Sequence, residues 1–259
     1  MNSNEGGQYL YCIIRCAEER AFADVAPLGD TRGPVHTVPQ DGLAMVVSDG
    51  ASGEYRATRA HMQAHQKVQE RVMHEYTLLP VRFGTVAGGP AAAQDIQRLL
   101  QKRRQEWEAL LAEMEGKVEL GLKALWRDEQ ATFAELLAEN PPIRKLRDSL
   151  RDKPPEVVRF EGIPLGTMVK TALEQKKRQE AAGLLAPLRP IAYRTQENPV
   201  VVDRMILNAA FLVPISREAD FDRGVSTLEE KLGHRVSFKY VGPTPPYNFV
   251  NIVVHWGDL

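Results

Sequence analysis

Val118-Glu119-Leu120-Gly121-Leu122-Lys123-Ala124-Leu125-Trp126 is the stretch on which the reading of the fold turns. Val118, Leu120, Leu122, Ala124 and Trp126 alternate with Glu119, Gly121, Lys123 and Leu125, which is the period of a half-buried strand. Just upstream the period is different. Across residues 91–115, Ile96, Leu99, Leu100, Trp107, Leu110, Leu111 and Met114 form one helical stripe, with Gln101, Lys102, Arg104, Gln105 and Glu108 mostly opposite. The switch falls at Gly116. A domain boundary is expected there, giving an N-terminal α+β domain over residues 1–116 and a C-terminal domain over 117–259.

Downstream of this strand, residues 128–139 read as a helix stopped by Asn140-Pro141-Pro142, followed by a short helix bearing Ile143, Leu146 and Leu150. With the charged connection at 151–155, residues 127–164 read as a helical insertion. Helical spacing resumes from Leu165 through Met168, Val169, Ala172, Leu173, Leu184, Leu185 and Leu188. Residues 205–213 are almost continuously apolar, as in a central strand covered on both faces, and Asn208 inside it reads as a buried amide. Ser216 is placed to cap a helix with the stripe Phe221, Val225, Leu228 and Leu232. Val236, Phe238 and Tyr240 then alternate with polar residues, and a last strand is expected over 248–254. With a short extra strand near 191–195, the C-terminal domain reads as a modified ferredoxin-like βαββαβ unit with an added strand or tail.

Upstream, residues 9–16 read as a strand, and Val35 to Val38 and Leu43 to Ser48 flank Pro39-Gln40-Asp41-Gly42 as a hairpin. Residues 56–76 carry Met62, Val68, Val72 and Tyr76 at helical spacing. Residues 78–86 read as an extended strand of edge character, because Pro80 has no amide hydrogen to give to a ladder.

Composition narrows the functional classes. The 259 residues are 43% apolar and 26% charged, and 33 Lys and Arg against 34 Asp and Glu leave a net charge of -1. That is globular, soluble composition without the basic excess of a nucleic-acid binder. No apolar run nears the ~18–20 residues that span a bilayer, and residues 1–7 are polar, so a cytoplasmic protein is expected. Cys12 and Cys16 are too few for a disulfide scaffold and read as core thiols.

Walker, G-x-G-x-x-G, G-x-S-x-G and C-x-x-C signatures are absent, so no catalytic residue, cofactor or metal is assigned. His61 and His65 have i, i+4 spacing, with His74 a third possible ligand, which keeps a metal-dependent enzyme as an alternative. Met62 stands where a metalloprotease helix needs Glu, and His65 sits on the apolar stripe as a packing residue would. A ferredoxin-like module that binds nucleic acid is the other alternative, but the clusters at Lys102-Arg103-Arg104 and Lys176-Lys177-Arg178 are interrupted by acids on the same helices.

Two segments remain as candidates for partner binding. In the first, Pro80, Arg82, Phe83 and Gly84, Arg82 interrupts an apolar strand and could bond a neighbouring segment or form an internal ion pair. In the second, Pro243, Pro245 and Pro246 fix an extended backbone ahead of Tyr247, Asn248 and Phe249.

Several of these pieces, in order, resemble the gas vesicle protein F/L family. They are Leu79-Pro80-Val81-Arg82-Phe83-Gly84-Thr85, Glu139-Asn140-Pro141 with Ile143-Arg144-Lys145-Leu146-Arg147-Asp148, Leu165-Gly166, Leu188-Arg189-Pro190-Ile191-Ala192, Asn208-Ala209-Ala210-Phe211-Leu212-Val213 and the run from Tyr240 to Val250. Thr244 departs from the pattern, where a larger apolar residue is usual. The resemblance implies a non-enzymatic accessory or minor structural component of the gas vesicle, with a ferredoxin-like C-terminal domain. It further implies binding to the small hydrophobic major shell protein, contact with other accessory proteins, and a place on the gas-facing side of the wall. No nucleic acid or membrane partner is implied.

Overall fold

The computed structural model describes residues 6–29, 33–51, 55–254 and 256–258, so the polar N-terminus through Glu5 and Asp30 to Arg32 lie outside the described residues. The chain is a mixed α/β protein with two sheets. It divides into two compact units, Met1–Glu119 with Pro243–Leu259, and Leu120–Gly242. The last residues belong to the first unit.

In the first unit β1 (Gly6–Arg15), β2 (Ala21–Phe22), β3 (Val35–Gln40), β4 (Leu43–Ala51), α1 (Arg59–Met73), β5 (Leu78–Pro80), β6 (Val86–Ala87), α2 (Ala92–Lys102) and α3 (Arg104–Met114) follow one another. The sheet order is β2-β3-β4-β1-β5, and β6 also pairs with β1. β1 is central, and every residue from Tyr9 to Ile14 is fully buried. One face packs on α1 through Val68 and Val72, while α2 and α3 contact β1, β3, β4, β5 and β6. The register of β1 against β4 shifts between Leu10 and Cys12, so Tyr11 and Cys12 enter the same cluster as Tyr9 and Ile14, which strict alternation does not foresee. Cys12 and Cys16 are free thiols.

Local chemistry explains the turns. Asp41 (φ 50°) and Gly42 (φ 86°) are both left-handed, which is the type I′ geometry that joins β3 to β4. β5 lies at the sheet edge, where Pro80 withholds no ladder hydrogen bond. The single strand expected over 78–86 is instead two short ones. Gly84 (φ 84°) turns the chain between them, and Thr85 donates from Oγ1 to the Arg82 carbonyl at 2.7 Å. The single helix expected over 91–115 is likewise two, broken at Arg103. No glycine or proline marks that break. The Arg103 guanidinium donates to the Val253 carbonyl at 3.1 Å and lies 5.0 Å from the Trp107 ring centroid, contacts made to residues that local spacing does not include.

From Gly116 (φ 68°), the left-handed residue after α3, the chain enters β7 (Lys117–Trp126). The second unit continues with α4 (Glu129–Glu139), α5 (Pro141–Leu150), α6 (Pro155–Leu185), β8 (Arg194–Glu197), β9 (Met205–Pro214), α7 (Glu218–Leu232) and β10 (Val236–Thr244), and its sheet order is β10-β7-β9-β8. β9 is central and apolar as expected, and β8 supplies the fourth strand, antiparallel to it. Residues 248–254 do not form a strand in this sheet. Ile252 makes a single parallel bridge to Val81 in the first unit.

Three further expectations change. The insertion read over 127–164 is two helices and the first part of α6, which starts at Pro155 and runs through Pro164. Proline at the start of a helix is pre-set in φ. The bond lost at Pro164 is tolerated because Leu165, Met168, Val169, Ala172 and Leu173 pack the helix on Leu136, Leu137 and Ile143. Ser216 lies in a short 3-10 turn ahead of α7 and does not cap it. Asn208 is half-buried, and its amide donates to the Pro199 carbonyl at 3.1 Å.

Candidate functional site

The first unit brings the two proline-bearing segments together against α1. The stretch after β10 is fixed by one carboxylate. Glu119, on β7 and only 4% exposed, accepts from the Asn248 backbone amide at 2.8 Å and from its side-chain amide at 2.5 Å. Burial pushes the Glu119 carboxyl above its ordinary pKa, and the two bonds from Asn248 pull it back. The turn itself closes when Val250 donates to the Pro246 carbonyl at 2.9 Å.

α1 supplies the floor. The Tyr247 hydroxyl donates to Gln69 Oε1 at 2.7 Å. The Gln69 amide nitrogen faces the carbonyl of Tyr11 at 2.6 Å and that of Val81 at 3.4 Å, as a donor must, and it also meets His65 Nε2 at 2.9 Å. The other ring nitrogen, Nδ1, lies 2.9 Å from the Tyr9 hydroxyl. The same hydroxyl accepts from the Gly84 amide at 3.0 Å, which ties the turn after β5 to the core. Desolvation lowers the His65 pKa to about 4, against a smaller opposing bond with Val81, so the imidazole is neutral at pH 7.

Above this floor lies a cleft of about 380 Å³ whose walls include Met62, Val81, Arg82, Phe83, Tyr247 and Ile252. Pro80, His65, Gln66, Val250 and Asn251 complete it. It is mostly apolar. Arg82 is exposed, and among the described residues its guanidinium has no hydrogen-bond or salt-bridge partner, so the internal ion pair weighed above is not formed.

Of the residues singled out by sequence, Pro80, Arg82, Phe83 and Tyr247 meet at this cleft. Gly84 shapes the turn beside it, and Asn248 anchors the opposite wall through Glu119. Pro246 is buried and supplies the turn carbonyl, Phe249 is half-buried off the cleft, and Pro243 is exposed near the end of β10. Sequence reasoning passed over Gln69, Glu119 and the stretch Val250 to Ile252. A glutamine at i+4 from His65 and next to Val68 on the buried stripe was the available signal. Glu119 fell on the polar side of an alternating strand, where nothing marked it as buried.

The histidine pair does not assemble a metal site. His61 turns to the Arg56 carbonyl at 2.9 Å, whereas both nitrogens of His65 are engaged in the core, and among the described residues no group of three metal-ligating side chains forms. The basic clusters are occupied as well: Arg103 pairs with Glu106, Arg104 with Glu108, and Lys176 with Glu135, Glu139 and Glu180. Among the described residues no helix is long and apolar enough to cross a membrane.

Comparison with known proteins gives the family. The model described as gas vesicle synthesis protein GvpL/GvpF matches residues 7–251. The chain belongs to the GvpL/GvpF family. Gas vesicle protein F of Microcystis aeruginosa is 28% identical over 249 residues, covering 95% of this chain and 99% of the relative. Gas vesicle protein F of a Streptomyces species is 28% identical over 242 residues, covering 93% and 98%. The crystal structure of GvpF from an Anabaena species superposes with a TM-score of 0.81 at 27% identity, over 96% of this chain and all (100%) of that one. The Microcystis GvpF crystal structure gives 0.76 at 29% identity, over 94% and 98%. This GvpL/GvpF chain is therefore a gas vesicle protein, of a family that is not a known enzyme class, and the likeness extends across both units.

Proposed function

We propose that this protein is a non-enzymatic accessory or minor structural component that supports gas vesicle assembly by binding the major shell protein, and that the cleft between the turn after β5 and the stretch after β10 is where it does so. The observation that carries the reading is the convergence of Pro80, Arg82, Phe83 and Tyr247 on one apolar cleft. A hydrophobic shell subunit needs a binder whose apolar surface is small and enclosed when free. A cleft framed by prolines and by a pre-set turn loses little entropy on binding and offers no long open strand edge. Family membership supports the vesicle setting, and a place on the gas-facing side of the wall is part of the same proposal, as are other accessory proteins as partners. The strand order β10-β7-β9-β8, with helices at the two crossovers, supports reading the second unit as ferredoxin-like.

The test is capture of the major shell protein by full-length protein, wild type against Met62→Glu and Arg82→Glu, with thermal unfolding measured on each. Met62 is 52% exposed, so a charge there reaches the cleft without entering the core. Capture lost at unchanged melting supports the reading. Capture that persists in both variants, or that falls only in step with stability, overturns it.

A further inference from the structure

The cleft carries more information than its apolar walls. Arg82 is exposed and without an ionic partner among the described residues, whereas Arg71, Arg103 and Arg104 of the same unit are each ion-paired. Its backbone is held on two sides: the Arg82 amide donates to the Ile252 carbonyl at 3.4 Å, and its carbonyl accepts from Thr85 Oγ1 at 2.7 Å. The guanidinium is thus presented from a fixed turn beside Val81, Phe83 and Ile252. None of the other wall residues is an Asp, Glu or Lys. His65 is neutral at pH 7. Glu70 and Glu119 lie outside the lining and accept from neutral amides, of Gln66 at 2.7 Å and of Asn248 at 2.8 Å, and neither pairs with Arg82. Among the described residues that line the cleft, Arg82 is therefore the one side chain charged at pH 7, and it is positive.

We propose that the cleft recognises a partner segment in which a carboxylate stands next to aliphatic side chains, the carboxylate going to Arg82 and the aliphatic groups to the wall formed by Val81, Phe83, Val250 and Ile252. This rests on the reading of the cleft as a docking site and names the chemistry that would select its occupant. A volume of about 380 Å³ takes a few side chains, so the recognised element is a short segment with the rest of the partner outside. A planar, always charged guanidinium at the edge of an apolar wall suits a carboxylate, which it can bind through two parallel N–H donors. A basic segment would meet repulsion from the same group. A purely apolar segment would leave the cation partly covered and unpaired.

The experiment uses full-length protein and a fluorescent amphipathic Leu/Ala host peptide carrying Glu, Gln or Lys at its central polar position. Wild type should prefer the Glu peptide over the Gln peptide by about tenfold, consistent with a charge-assisted pair at a partly covered site. Arg82→Gln should abolish that preference, and Arg82→Glu should reverse it toward the Lys peptide. Equal binding of Glu and Gln peptides to wild type, no peptide binding at all, or a Glu preference retained in Arg82→Gln would overturn the assignment. The outcome is separable from the docking reading. Loss of shell capture in Met62→Glu without any Glu preference removes the carboxylate and leaves the cleft, whereas shell capture untouched by Met62→Glu and Arg82→Glu removes the docking reading whatever the peptides do.

Discussion

The buried carboxylate of Glu119 is held by two donors of one residue, the backbone and side-chain amides of Asn248 at 2.8 and 2.5 Å. A carboxylate 4% exposed and without a cationic partner in these contacts depends on such bonds to stay in the core. Asn248→Ala removes the side-chain donor and should destabilise the first unit by about 2 kcal/mol, the range for a hydrogen bond to a charged group. Asn248→Ala made on Glu119→Gln should cost less than on wild type. Chemical denaturation of the two singles and the double closes this cycle, and additive effects would show that the pair does not act as a unit.

Gly84 adopts φ 84°, and no atom lies within 4 Å of where a Cβ would sit. Alanine there meets no steric neighbour but forces a left-handed backbone on a residue that avoids it. Gly84→Ala should cost about 1 kcal/mol. The same change at Gly162, also open in space and inside α6, should be neutral or stabilising by a few tenths of a kcal/mol. A melting-temperature comparison checks the contrast in sign.

His65 should make stability fall toward acid. Its pKa is about 4 in the folded protein against an ordinary 6.5, so between those values the unfolded chain binds the extra proton and protonation favours unfolding. The stability it supports is present above pH 6.5 and is lost as the pH falls to about 4, amounting to ~3 kcal/mol at most. Glu119, whose pKa is raised by burial, acts with the opposite sign, but it is common to wild type and His65→Asn. The difference in unfolding free energy between those two proteins should therefore narrow by about that amount from pH 7 to pH 4. An NMR titration of the His65 ring showing a midpoint near 6.5 would refute the sign and the size together.

In the second unit Arg235 bridges Glu135 on α4 and Glu180 on α6, with Nη2 at 2.7 Å from each, and Trp126 Nε1 donates to Glu180 at 2.7 Å. The bonds from Arg235 hold the Glu135 carboxyl below its usual range. Arg235→Ala leaves two facing carboxylates with only Lys176 between them and should cost about 2 kcal/mol, discounted for the partial exposure of all three groups. Arg235→Met should cost less, because its stem still packs. Raising salt should narrow the gap between wild type and Arg235→Ala, which a denaturation series at two ionic strengths measures.

The sequence by itself determined what depends on near neighbours. Asp41-Gly42 specifies its hairpin because two adjacent residues accept left-handed dihedrals, and the period change at Gly116 locates the entry to β7 because solvent reads alternate faces of a strand and one face of a helix. The proline-bearing segments could be picked out from their composition, and Pro80 placed β5 at an edge because it lacks a donor. The tertiary structure decided whatever depends on residues far apart in the chain. Residues 248–254 look like a strand locally, yet they make a single bridge, Ile252 to Val81, while Asn248 is drawn to a carboxylate 129 positions away. The helix over 91–115 breaks at Arg103, whose side chain reaches a carbonyl 150 positions on. Tyr11 and Cys12 share a face through a bulge whose register is fixed by β4. The cleft exists because the turn set by Gly84 and the turn closed at Pro246 are brought together over Gln69, and neither segment alone encodes the other's position.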